Sequence, residues 1–390
     1  MAALEVEVDS AHVPAAVCEQ MLATVLGQCI GDALGLLTEF MSKEEAKEYY
    51  GRKPKNLKYA QKVPDLHRSR WKDGDWTDDT DQMILILQGI LYNKGEVLTC
   101  DFAARMRRWM RQGFPELGDF GGNGIGATTS KVLNQEKFLE TPHEVAYMVW
   151  DRNQRNVAPN GAVMRTSILG LHQWQDLDAV IKNCIEICKT THHDPRCQAS
   201  TIAVSTCIAQ MLQHTAHKQT AKSGSLNVDS LIKKSYELAC SVLETEEQKK
   251  ELWMFQSCKK IKELELSGAG GIGYTYKCMG AGFWALKQDN FKKAMIQVVM
   301  QAGDADTNGC VAGAMLACKL GLSAIPKDWI DELEHKDWLM EYFHRFVRLQ
   351  SELSKPVSER TSNDDLSLEA LRELTQKIRD EQQKDSASKT

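Results

Sequence analysis

Apolar residues recur along this chain with a period near 3.6, clearly so over residues 21–37, 83–91, 102–110, 179–188, 202–212 and 231–242. Strict alternation of apolar and polar residues between turn signals is scarce. The pattern predicts an all-α protein of many helices, too irregular for a solenoid because no fixed repeat length emerges. Helix starts are marked by Thr99 with Asp101, by Asp194-Pro195 and by Pro326-Lys-Asp-Trp-Ile. Residues 217–229 (HKQTAKSGSLNVD) read as a surface loop, since Lys, Ser, Thr and Gly cluster there. A main domain over residues 15–353 is expected, followed by a polar tail over 354–390. In that tail Leu368, Leu371, Leu374 and Ile378 form one narrow stripe, which predicts a docked amphipathic helix within 366–384 and a frayed end.

Composition adds bounds rather than detail. The 390 residues are 43% hydrophobic and 26% charged, enough for a large core. A net charge of -5 and a pI near 6.1 give no general drive towards nucleic acid or an anionic membrane, so neither is expected as a partner. These global values leave room for a polyanion held locally. Twelve cysteines are scattered without a CxxC pair, and several sit inside apolar helical patterns, which suits reduced, buried thiols. Cys184 and Cys188 have i,i+4 spacing, but no matching Cys/His pair follows at zinc spacing, so packing is the expected role. The first residues lack a basic stretch leading into an apolar one, and no apolar run reaches about 18 residues. A cytoplasmic protein is expected, with the nucleus as a second location, and a monomer.

Candidate chemistry is densest in Trp71-Lys-Asp-Gly-Asp-Trp-Thr-Asp-Asp-Thr-Asp-Gln-Met83, which carries five carboxylates directly before an apolar helix. Thr77 or Asp78 could serve as an N-cap and one or two acids would complement the helix dipole, but five exceed that need. A second cluster, Gln301-Ala-Gly-Asp-Ala-Asp-Thr-Asn-Gly309, precedes another apolar helix. Asp304 and Asp306 could converge from an extended approach while Thr307 opens the helix. If the two helix starts meet, the crowded carboxylates require a cation, and oxygen-only donors select Mg2+ or Mn2+. The alternative is two capped helix ends that stay apart at the surface.

Four motifs in order make the pattern specific: Gly31-Asp-Ala-Leu-Gly35 with Glu39, Thr77-Asp78-Asp79-Thr80, Asn160-Gly-Ala-Val-Met-Arg165, and Gly303-Asp-Ala-Asp-Thr307. Over residues 20 to 325 they resemble the ADP-ribosylglycohydrolase family. The resemblance implies a compact, single-domain orthogonal bundle with a binuclear metal cleft holding two Mg2+ ions, or Mn2+. It implies Thr77, Asp78, Asp79, Asp304, Asp306 and Thr307 as metal ligands, and Glu39, Asp78 and Asp119 as catalytic candidates. Glu39 would lie beside the metals and the distal ribose, with Glu39 or Asp78 as base. Asp32 is expected to be structural, a buried acid accepting backbone N–H groups.

For ADP-ribose itself, the glycine-rich run Gly121, Gly122, Asn123, Gly124, Ile125, Gly126 before a helix offers free amides to a diphosphate, as the family places it. Asn160 and Gly161 would line the ribose or phosphates, with Arg165 either nearby or structural. His192 in Thr191-His-His-Asp-Pro195 could face the ligand or sit as a hydrogen-bonded core residue. Tyr274 could stack on the base or belong to the core. The resemblance implies metal-dependent hydrolysis of the glycosidic bond joining ADP-ribose to a side chain of an ADP-ribosylated protein. GDALG, the following TEF and TDDT favour arginine. The alternatives are a serine- or O-linked substrate, a free ADP-ribosyl small molecule, or an inactive ADP-ribose-binding, crystallin-like protein. Asn123, Ile125, Asn308 and Cys310 depart from the commoner residues and bear on selectivity.

Overall fold

A computed structural model of the protein describes residues 12–220, 224–268 and 271–355. The helix expected within 366–384, and all but the first two residues of the 354–390 tail, lie outside them. Sixteen α-helices and eight short 3-10 turns account for the regular structure of the described residues, which contain no strand, only two isolated β-bridges. The all-α expectation holds, and the expected starts at Thr99, Pro195 and Lys327, after Pro326, are observed. The loop is shorter than expected. The long helix Pro195–Thr220 continues through His217, and Val228–Ala239 begins before 229, because Asn227 caps it by accepting from the Ser230 amide at 3.0 Å.

Two helices that are apolar on every side form the centre, Ala15–Gly35 and Ala305–Leu320, and their mutual packing is the most extensive in the molecule. Glycines make this approach possible. A Cβ on Gly31 would stand 2.0 Å from the Gly309 carbonyl oxygen, and one on Gly309 would stand 2.2 Å from that of Gly31. Thr275–Leu286, Phe291–Val299 and Pro195–Thr220 pack around this pair, and Asp78–Tyr92 crosses it. Among the described residues no helix is long and apolar enough to cross a membrane.

Among the described residues at least five helices are capped by their own sequence. Ser42 and Glu45 form a reciprocal capping box, as do Thr245 and Gln248, and Asp176 and Asn290 accept from the amides that follow them. The helices beginning at Asp78 and Ala305 lack such a cap. Thr77 occupies the N-cap position without capping, and Thr307 lies inside its helix rather than opening it. These two starts are where the candidate chemistry lies.

Candidate metal centre

The uncapped start of Asp78–Tyr92 is closed by a residue distant in sequence. Asp32, on the first helix, accepts from the Thr77 amide at 3.0 Å and hydroxyl at 2.9 Å, and from the Thr80 amide at 3.0 Å and hydroxyl at 2.6 Å. Asp32 is thus a structural acid, capping a helix in place of that helix's own residue. The cap holds the first acidic cluster against the second, with Thr77 Oγ1 standing 3.4 Å from both Asp79 Oδ2 and Asp306 Oδ2.

Glu39 reaches the same place through a backbone bridge. The Phe40 amide donates to the Gly303 carbonyl at 2.6 Å, and the Gly303 amide donates to Met41 at 3.0 Å. Arg68 fastens this turn by donating to the carbonyls of Leu37 and Glu39 and to the Asp65 carboxylate. One carboxylate oxygen from each of Glu39, Asp304 and Asp306 then falls within 4.8 Å of the others. Asp304 accepts from the Asn160 side-chain amide at 2.8 Å and from the Thr307 hydroxyl at 3.1 Å. Asp79 Oδ1 and Asp306 Oδ1 are buried and accept no hydrogen bond. Burial first, and the neighbouring acids second, push the carboxyls of Asp78, Asp79 and Asp306 well above the usual range. Converging oxygen donors with unpartnered buried atoms match what a hard divalent cation requires. The two helix starts meet, so the alternative of separate surface ends is excluded.

Asp78 faces the glycine-rich loop. A Cβ on Gly124, whose φ is +91°, would stand 2.6 Å from Asp78 Oδ1, so only glycine brings the loop this close. Gly122 lies on the Trp109 ring, and Gly126 precedes the helix Ala127–Leu133 without a side-chain cap. Gly121 is half-buried and Asn123 exposed. Asp119 accepts from the Phe114 amide at 2.9 Å and adds its charge to that of Asp75 and Asp81. It therefore shapes the loop.

On its other side Asp78 is tied to a buried relay. Gln82 donates to Asp78 at 2.7 Å, Arg165 donates to Gln82 at 2.8 Å and to Thr191 Oγ1 at 2.7 Å, and Thr191 Oγ1 lies 2.7 Å from His192 Nδ1. Arg165 is fully buried, which lowers its pKa to about 10 and leaves it cationic at neutral pH. The His192 ring stands against Gly161, where a Cβ would meet Nε2 at 2.9 Å, and burial holds it well below its ordinary pKa, hence neutral. Asn160 and Gly273 are joined through their backbones at 2.9 Å. Tyr274, next to this joint, is half-buried, donates to Glu251 at 2.7 Å and carries the Arg196 guanidinium 5.7 Å from its ring centre.

Three residues of this site carry no sequence signal of their own. His67 contacts Glu39 through Nε2 at 2.5 Å and packs its ring on Phe40 at 4.9 Å and edge-on to Trp71 at 5.2 Å. Arg68 and Gln82 act on Glu39 and Asp78 from behind. The run His67, Arg68, Arg70 beside Trp71 was the available hint, a basic cluster abutting an acidic motif.

The family model described as ADP-ribosylglycohydrolase matches residues 14–356 of this chain. Among curated proteins, the ADP-ribosyl-[dinitrogen reductase] glycohydrolase of Rhodospirillum rubrum is 24% identical, with 82% of this chain and 91% of that protein covered. The ADP-ribosylarginine hydrolase Tri1 of Serratia proteamaculans is also 24% identical, covering 80% of this chain and 75% of that protein. A solved structure described as an ADP-ribosylglycohydrolase-related protein complex superposes with a TM-score of 0.62 at 22% identity. It covers 86% of this chain and 99% of its own and shares the fold.

Proposed function

Because the chain belongs to the ADP-ribosylglycohydrolase family, we propose that it hydrolyses the glycosidic bond between ADP-ribose and an arginine side chain of an ADP-ribosylated protein, using Mg2+ or Mn2+. The observation that carries the metal reading is the pair of unpartnered buried oxygens on Asp79 and Asp306, set among Glu39, Asp304 and Thr77. Thr77, Asp78, Asp79, Asp304, Asp306 and Thr307 would hold two ions. Bound there, such ions would supply Lewis acidity that holds ribose hydroxyls and acidifies a water, while the surrounding carboxylates offset the positive charge developing at the anomeric carbon.

The chain's own residues do the rest. Glu39 or Asp78 takes the proton of the attacking water, each held by a partner behind it, His67 and Gln82 respectively. Amides of Gly121, Asn123, Gly124 and Gly126 receive the diphosphate, Gly122 lines the loop with its own amide on the Met110 carbonyl at 3.3 Å, and Asp119 holds the turn that presents them. Asn160, Gly161 and the neutral His192 line the ribose and phosphates, and Tyr274 offers its ring to the base. Arginine is favoured by the relatives named for arginine-linked ADP-ribose. The free state of all twelve cysteines favours a cytoplasmic setting.

The test incubates the protein with Mg2+ and, separately, arginine-, serine- and ester-linked ADP-ribose, alongside Asp78→Ala and Asp304→Ala. Release of ADP-ribose from the arginine conjugate, lost in both variants, is expected. Release from the serine conjugate alone would move the linkage. ADP-ribose binding without release from any conjugate would make the chain a reader rather than an enzyme.

A further inference from the structure

A second, strongly basic cavity lies outside the carboxylate cluster. It encloses about 950 Å³. Lys43 and Lys47 enter it from the helix Lys43–Tyr50, Arg52, Lys53 and Lys55 from the loop that follows, and Lys292 and Lys293 from the helix Phe291–Val299. No carboxylate lines it. In a chain of net charge -5, seven cations around one hollow are a local inversion of sign.

Few of these charges are paired within the fold, although Lys292 stands 5.7 Å from the centre of the Trp329 ring. Lys47 pairs with Glu44 at 3.2 Å, and among the described residues the other six make no ion pair. Glu44 and Glu48 line an adjoining hollow that shares Lys47 and Arg52 with this one. Lys292 and Lys293 occupy a first helical turn with no acid in it, where the helix dipole disfavours cations. Burial first and the nearby Lys47 second lower the pKa of Lys43, outweighing the opposing charges of Glu44 and Glu265. An anionic occupant would relieve all of these costs together.

The lining selects among anions. It offers no aromatic side chain on which a base could stack, and a single guanidinium among seven cations for forked recognition of phosphate. Lysine ammonium groups over Pro54, Ile296 and Met300 instead match flexible carboxylates on a chain that also carries apolar groups. The backbone joins the groove to the cluster. Met300 and Gln301 line it and lead into Gly303, which bridges Glu39, while Lys43 follows Met41, whose carbonyl accepts from Gly303.

We propose that this groove binds an acidic polypeptide segment of the ADP-ribosylated protein, so that the enzyme selects modified side chains by the acidic sequence beside them. The inference rests on the hydrolase reading for its substrate, and on the groove alone for its binding chemistry. Fluorescence anisotropy with a labelled poly-glutamate peptide carrying no ADP-ribose tests the binding. The wild type is expected to bind it, more weakly as salt rises. Reversal at Lys53→Glu, Lys55→Glu and Lys293→Glu together is expected to weaken binding about tenfold or more, with the neutral glutamine triple intermediate. Equal binding by all three proteins, or tighter binding of an oligo-dT strand than of the peptide, overturns the proposal. In turnover, an arginine-ADP-ribosylated peptide with acidic flanks should show a KM about tenfold below that of one with basic flanks, a gap that closes in the charge-reversed protein. A gap that is absent, or persists in that variant, also overturns it. Peptide binding without release of ADP-ribose from any conjugate would sink the hydrolase reading, whereas release without peptide binding would sink only this one.

Discussion

Asp32 and Asp79 lie on either side of Thr77, and both are buried carboxyls whose pKa burial raises, yet the protein treats them differently. Asp32 is saturated by four donors at 2.6 to 3.0 Å. Asp81, two residues along the helix from Asp79, is likewise satisfied by the indole N–H groups of Trp76 and Trp109, both at 2.9 Å. Asp79 and Asp306 each keep an oxygen with no partner. The fold satisfies Asp32 and Asp81 and leaves an oxygen open on Asp79 and on Asp306, which supports the metal proposed there. Charge and burial do not tell Asp32 from Asp79 and Asp306, whereas the open oxygens of the latter two do; Asp78 and Asp304, also proposed as ligands, accept from Gln82 and from Asn160 and Thr307 respectively.

The sharpest way to break the comparison is Asp306→Ala, expected to lower release of ADP-ribose by about a thousandfold, the loss of roughly 4 kcal/mol of transition-state stabilisation. Retained activity would show that the open oxygens have no part in the reaction. Next, Asp32→Ala should lower unfolding stability by about 3 kcal/mol with or without metal, since it strands buried donors. Asp79→Asn, measured in chelator, should cost little or even stabilise, because it removes an unpaired buried charge. Urea unfolding of both proteins checks this, and equal losses would erase the distinction.

Adding Mg2+ at about a hundredfold over its Kd should raise wild-type stability by about 2.7 kcal/mol and leave Asp79→Asn behind. A thermal-shift titration reads it, and an unmoved wild-type Tm would remove the metal from the account. The smallest effect is on pH dependence. Burial, followed by the charge of Asp119, raises the Asp75 carboxyl from 3.8 to about 7. The folded chain therefore keeps a proton that the unfolded chain has released, and stability from this group falls as pH rises from about 4 to about 7. In metal-free buffer the wild type should lose more stability across that window than Asp75→Asn.

Much of the fold was legible because burial of a helix face leaves a 3.6-residue period in the chain, which the segments at 83–91 and 102–110 show directly. The motifs at Thr77 to Asp79 and Asp304 to Thr307 marked the site for a similar local reason, an excess of carboxylates over what a helix start needs. The resemblance added Glu39, whose surroundings give no local signal. What the chain alone could not show is how the five carboxylates between Asp73 and Asp81 divide. Asp73 goes to Lys62 at 3.4 Å, Asp75 towards His335 at 3.7 Å, Asp81 to two tryptophans, and only Asp78 and Asp79 turn to the cleft.

Sequence by itself thus determined the helices and the excess of charge at two of their starts, because periodicity and composition are properties of neighbours along the chain. Tertiary structure alone decided which acids are saturated. Most of their donors come from segments dozens of residues away, and successive side chains on a helix turn by about 100° towards different neighbours. Asp32 as the cap of a foreign helix, His67 on Glu39 and Arg165 behind Asp78 exist only once those neighbours are brought together.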